Sequence, residues 1–181
     1  VNFGVNGIQY AIQLHLVSCG TNATSIGFIS GGISLMMLVG SLLAGKLSDK
    51  VPVGPTVCLA YLFICLCVLP MTLTDSYWIM LVANSFVGLP FPLINAMLLG
   101  FIFAKSPTSM QGRITVTLTV PAQVLSMFCS AVAGTLLPVF GFHGAVLVFL
   151  AVLVASAVLV ICSRSIRSIP KAAQWEHTML R

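Results

Sequence analysis

The chain has 181 residues, 59% of them hydrophobic and 6% charged, with a mean hydropathy of +1.10. Soluble domains carry about 25% charged residues to keep their surfaces hydrated; eight Lys/Arg and three Asp/Glu cannot coat 19.2 kDa in water. A soluble enzyme, a nucleic-acid-binding domain and a disordered tail are excluded, because the basic residues sit in short clusters between long apolar runs, the pattern of a membrane protein.

A helix crosses a hydrocarbon core of about 30 Å with roughly 20 residues. Cutting the chain at charges, turn residues and Pro/Gly clusters predicts an all-α polytopic membrane protein. Its six transmembrane helices are expected over 3–19, 24–45, 53–73, 77–104, 112–138 and 142–162, with a basic tail over 163–181. The first span carries Asn2, Asn6, Gln9 and Gln13 within a sector of about 60° on one helix face. The second carries Gly27, Gly31, Ser34, Ser41 and Gly45, a small-residue face of the kind that lets a neighbouring helix come close.

In the third, Cys65 and Cys67 form C-x-C with no nearby His, which is neither a redox nor a zinc spacing. All six cysteines are expected to act as small, soft hydrophobes. The fourth places Asn84 and Asn95 on one face across a kink at Pro90 and Pro92, where the backbone ladder lacks donors. Tyr77 and Trp78 stand at its outer end, as interfacial anchors do. In the fifth, Thr115, Thr119, Gln123, Ser126 and Ser130 fall within about 80° of one another; Pro121 and Pro138 leave further gaps in that ladder. His15 lies off the first span's polar stripe and is expected to be a packing or interfacial residue.

The connections set the orientation. Lys46, Lys50, Lys105, Arg113, Arg164, Arg167, Lys171 and Arg181 all fall on one side of a six-span topology, and the opposite connections carry only Asp75. The positive-inside rule puts the basic side, and with it both termini, in the cytoplasm, most simply of a cell membrane. No Asp, Glu, Lys or Arg lies in the middle of a span, so no intramembrane proton relay is expected in this chain. The polar stripes have two readings. Interhelical hydrogen bonds would use some of them; two stripes of this length also fit the wall of a water-filled cavity for a small-molecule substrate, since unpaired amides are costly to desolvate. There is no G-x-S-x-G, H-E-x-x-H or phosphate-cradling loop, so no catalytic residue, metal or cofactor is expected. The chain opens with Val inside an apolar stretch and shows no cleavable leader, which is expected of a piece of a longer protein.

Gly45-Lys46-Leu47-Ser48-Asp49-Lys50 resembles the signature loop of the major facilitator superfamily, which joins helices 2 and 3 and recurs in decayed form between helices 8 and 9. The turn Gln111-Gly112-Arg113-Ile114 and the run Arg164-Ser165-Ile166-Arg167-Ser168-Ile169-Pro170 look like those of drug- and siderophore-efflux permeases of that superfamily. The family's full motif continues with Gly and two basic residues, whereas Val51-Pro52-Val53-Gly54-Pro55 follows here, as in a decayed second copy. The resemblance covers residues 3–170.

It implies helices 7 to 12, the C-terminal half of a twelve-helix secondary transporter, with a missing N-terminal half or a second copy of the chain as partner. It implies substrate near the bilayer midplane between two bundles and alternating access by rocking. Gly45, Asp49, Lys50 and Arg113 would form a cytoplasmic gating loop, with the Asp49 carboxylate on a helix N-terminus. If transport is proton-driven, the titrating carboxylate belongs to the other half. Two other classes have comparable spans. They are a stand-alone six-span substrate-binding subunit of an ATPase-linked vitamin or metal uptake system, and a non-transporting membrane scaffold.

Overall fold

The computed structural model describes residues 2–48, 50–167 and 169. Among them the chain is all helical, in the order α1 (Asn2–Ser18), α2 (Ala23–Leu47), α3 (Val53–Val68) with a 3-10 turn (Leu69–Thr72), α4 (Tyr77–Gly88), α5 (Phe91–Lys105), a second 3-10 turn (Thr108–Met110), α6 (Gln111–Cys162) and α7 (Arg164–Arg167). Four stretches are long and apolar enough to cross a membrane: Ala23–Leu47, Val53–Thr72, Tyr77–Lys105 and Gln111–Cys162. The architecture is that of an all-α, polytopic membrane bundle.

Each break has a local cause. α1 ends where Gly20 adopts φ 68°. The Thr21 N–H then bonds the Leu16 carbonyl at 2.9 Å and the Gly20 N–H bonds that of Val17 at 3.0 Å, a Schellman closure that uses up two orphan carbonyls. Pro70, which has no N–H to donate, falls where α3 tightens into its 3-10 turn. The expected kink at Pro90 and Pro92 splits the fourth segment into α4 and α5.

The 52 residues of α6 would extend about 78 Å at 1.5 Å per residue, far beyond one bilayer crossing. The helix breaks at Gly141, with φ 68° and ψ −178°. Cys129, before that point, bonds the Phe3 carbonyl through Sγ at 3.3 Å, and Phe142, just after it, stacks on His15. Phe149 and Leu153 then lie against Gly7 and Gly4. The chain therefore travels alongside α1 from the level of Phe3 to that of His15, turns at Gly141, and returns antiparallel to α1. The turn falls in the gap between the expected fifth and sixth segments, 112–138 and 142–162, and Pro138 sits inside the helix just before it.

The core lies between α1, α3, α4 and the second limb of α6, with Ile12, Ile64, Met80 and Phe149 all but fully buried. α2 sits at the edge. It buries only Ile29, Gly40 and Ala44 and presents Phe28, Leu35, Leu38 and Leu42 outward, a face suited to lipid. Its packing face differs from the expected one. Nothing lies within 4 Å of a Cβ placed at Gly27, Gly31 or Gly45. Gly32 and Gly40, on roughly the opposite face of the helix, instead meet Ser85 and the Leu89 carbonyl. Small size and helical spacing do not reveal where a partner helix stands, and within this chain α2 meets its neighbours along a different row.

The six cysteines are free thiols. Cys129 is fully buried and behaves as the apolar residue expected of it.

Candidate functional site

Between α1, α3, α5 and both limbs of α6 lies an open cavity of about 480 Å³. Phe3, Ile94, Leu98 and Leu125 form much of its apolar wall, and its polar groups are Asn2, Asn95, Tyr61 and Ser156. No charged residue lines it among the described residues. A pocket of this size and composition suits a small organic molecule whose apolar body is covered by the wall and whose few polar atoms meet amides and hydroxyls.

The residues singled out from sequence part company here. Asn2 and Asn95 line the cavity from two different helices. Asn6 and Ser126 meet each other, Nδ2 donating to Oγ at 3.1 Å, so the two stripes touch at one interhelical hydrogen bond. Gln13 donates from Nε2 to Ser30 Oγ at 3.3 Å, tying α1 to α2. Gln9 is half-buried on the same face of α1.

The hydroxyls of Thr115, Thr119 and Ser126 donate to the carbonyls of Gln111, Thr115 and Ala122 on their own helix, which satisfies them without a ligand. Thr119, Gln123 and Ser130 are exposed on the first limb of α6 and do not line the cavity. Asn84 is 1% exposed, and its Nδ2 has no partner among the described residues. It stands on α4 just before the break that precedes Pro90, and not on the cavity wall.

Tyr61 and Ser156 were not singled out from sequence. Each is a lone polar residue in an apolar helix, so neither belongs to a stripe. Ser156 did carry a signal: it follows Phe149 by seven residues and Leu153 by three, on the face that α6 turns to the core.

Of the expected gating loop, Asp49 lies outside the described residues, as do Lys171 and Arg181 of the tail. Gly45 faces open space, and Lys50 and Arg113 are exposed. The N-terminus of α3 beyond this loop is occupied from within the chain. The Gly54 N–H bonds the Ile169 carbonyl at 3.2 Å, and a Cβ at Gly54 would strike the backbone of Ile166 and Arg167. The short α7 is thereby docked against the first turn of α3, at the end of the bundle that carries the basic residues.

At the opposite end two histidines converge on Asp75. His143 Nε2 stands 3.3 Å from Oδ2 and His15 Nε2 stands 3.8 Å from Oδ1. His15 is the packing residue expected from sequence, its ring stacked on Phe142 at 4.3 Å between centroids. Its meeting with His143 was not expected, because the two residues lie far apart in the sequence. Among the described residues no group of three or more His, Cys, Asp or Glu is arranged to hold a metal ion.

A family model described as Major Facilitator Superfamily matches residues 1–179. No curated protein sequence matches the chain.

Proposed function

The chain belongs to the major facilitator superfamily, whose members are membrane transporters, and on that premise we propose that it is the C-terminal six-helix half of a secondary active efflux permease for small organic molecules. In this reading the fourth span is α4 with α5, and α6 supplies the fifth and sixth. The basic end and both termini face the cytoplasm, in a cell membrane. Substrate occupies the cavity at the interface with a second six-helix bundle, and rocking of the two bundles exposes it to either side in turn.

The observation that carries the reading is the uncharged cavity in which Asn2, Asn95, Tyr61 and Ser156 interrupt an apolar wall. Such a wall binds neutral or amphipathic molecules and gives an ion no counter-charge. Energy coupling is assigned to the other half, because no acidic side chain lies inside a span of this one. The family match along nearly the whole chain weighs against both an ATPase-linked uptake subunit and a scaffold. The chain's work is transport without chemical conversion, so it is not an enzyme.

The test is efflux of a neutral amphipathic dye, Nile red, from cells expressing the complete transporter. Asn95→Leu should lower the efflux rate about three- to ten-fold, the loss of one hydrogen bond worth about 0.5–1.5 kcal/mol, at unchanged protein level in the membrane. Wild-type efflux by the variant would remove Asn95 from the substrate path. No efflux of the dye by the wild type would overturn the substrate class.

A further inference from the structure

The end of the bundle opposite the basic residues carries Asp75, the one acidic side chain among the described residues. Three separate parts of the chain meet there. His15 comes from the last turns of α1, Asp75 from the connection 73–76 before α4, and His143 from two residues beyond the turn at Gly141. Each carboxylate oxygen faces one imidazole, at 3.8 Å for His15 and 3.3 Å for His143. Stacking of His15 on Phe142, tilted by 22°, holds that ring in place and joins α1 to the turn. The Asp75 side chain is 59% exposed, so protons from the surrounding water reach the cluster directly.

The neighbouring titratable groups are few. Cys19, just beyond the end of α1, places Sγ 3.8 Å from the same His15 Nε2. Tyr77, at the start of α4, turns its hydroxyl away to the Ser25 carbonyl at 2.8 Å. Neither α2 nor α3 brings a charged residue to this end, Lys46 of α2 and Lys50 of the connection after it lying at the other. Among the described residues no group of three or more His, Cys, Asp or Glu is arranged to hold a metal ion here.

With both imidazoles neutral, the cluster bears a single negative charge and no ion pair. Each proton taken up by an imidazole creates an ion pair with the carboxylate: the first joins two chain segments, and the second extends the contact to the third. We propose that His15, Asp75 and His143 form an acid-tightened clasp that draws the outer end of α1, the connection before α4 and the Gly141 turn together. Acid on this side closes this end of the half-bundle. Partly exposed pairs are individually weak, so the clasp biases an equilibrium and does not lock it, as a regulatory contact requires.

The inference rests on the proposed sidedness only for which compartment is sensed, and its test needs no transport. In the complete protein in lipid nanodiscs, amide hydrogen exchange would be followed over residues 70–77 and 139–145 at about pH 5.5 and pH 8, on either side of the imidazole range, after correction for the intrinsic pH dependence of exchange. The wild type should be about three-fold more protected at the lower pH, within the reach of a partly exposed ion pair. Asp75→Asn, close in shape and unable to ionise, should be equally protected at both. His15→Gln with His143→Gln should match it. Equal corrected protection in the wild type, or a pH difference that survives Asp75→Asn, would overturn the clasp. No dye efflux by the wild type with the expected exchange pattern would overturn the proposed substrate class alone.

Discussion

Gly40→Val is expected to destabilise the bundle by about 1–3 kcal/mol, toward the upper end of what inserting side-chain atoms into a packed site costs. A Cβ at Gly40 would fall on the Leu89 carbonyl oxygen and press on Pro92. Those atoms belong to the break between α4 and α5, where backbone rather than a rotatable side chain stands in the way. α2 is held chiefly by this row, since Gly32 against Ser85 and Ile33 against Gly88 continue it along the crossing. Separating α2 from α4 at Gly40 therefore loosens the whole contact. Gly27→Val and Gly31→Val are the controls: each adds the same atoms where nothing lies within 4 Å, and should stay within about 0.5 kcal/mol of the wild type. Unfolding by denaturing detergent, followed by helix content, separates the two classes. Equal losses at Gly31 and Gly40 would contradict this packing row.

Gly7→Val should cost a similar amount, for a different reason. The new Cβ would overlap the ring of Phe149, which is fully buried at the centre of the core and also packs on Phe3 at 5.9 Å between centroids. Here the obstacle is a side chain, so it can be removed. In a Phe149→Leu background the cost of Gly7→Val should fall by more than half, a coupling within the 0.5–3 kcal/mol found for residues in contact. Additive effects would mean that α1 and the returning limb of α6 do not meet at these residues. The pair thus tests the reversal at Gly141, since no straight α6 brings both Cys129 and Phe149 to α1.

Much of this architecture was legible because lipid imposes simple demands. Eleven charges in 181 residues rule out a water-facing surface, and apolar runs of 20 residues or so announce helices. The kink at Pro90 and Pro92 was readable from proline's missing donor. The α6 turn falls in the gap expected between 138 and 142. Pro138 stays within the helix, as prolines do in an apolar medium, and the positive-φ backbone at Gly141 ends the run. Side-chain faces were legible only in part. Helical spacing put Asn2, Asn6, Gln9 and Gln13 on one face, but not what stands opposite that face. Asn2 meets the cavity, Asn6 meets Ser126 and Gln13 meets Ser30. The hydroxyl stripe of α6 shows a similar limit: Thr115, Thr119 and Ser126 donate to the preceding turn of their own helix, which spacing alone does not reveal. The cluster at Asp75 depends on contacts spanning 60 to 68 residues of chain, which no local pattern encodes.

The central claim is that this bundle works as one half of a two-bundle transporter with the substrate cavity at its open side. The most direct measurement is the intact mass of the native membrane protein, detected through a peptide of this chain. The account predicts one polypeptide about twice the 19.2 kDa of these residues, with the second bundle on the same chain. A native product of 19.2 kDa would contradict it.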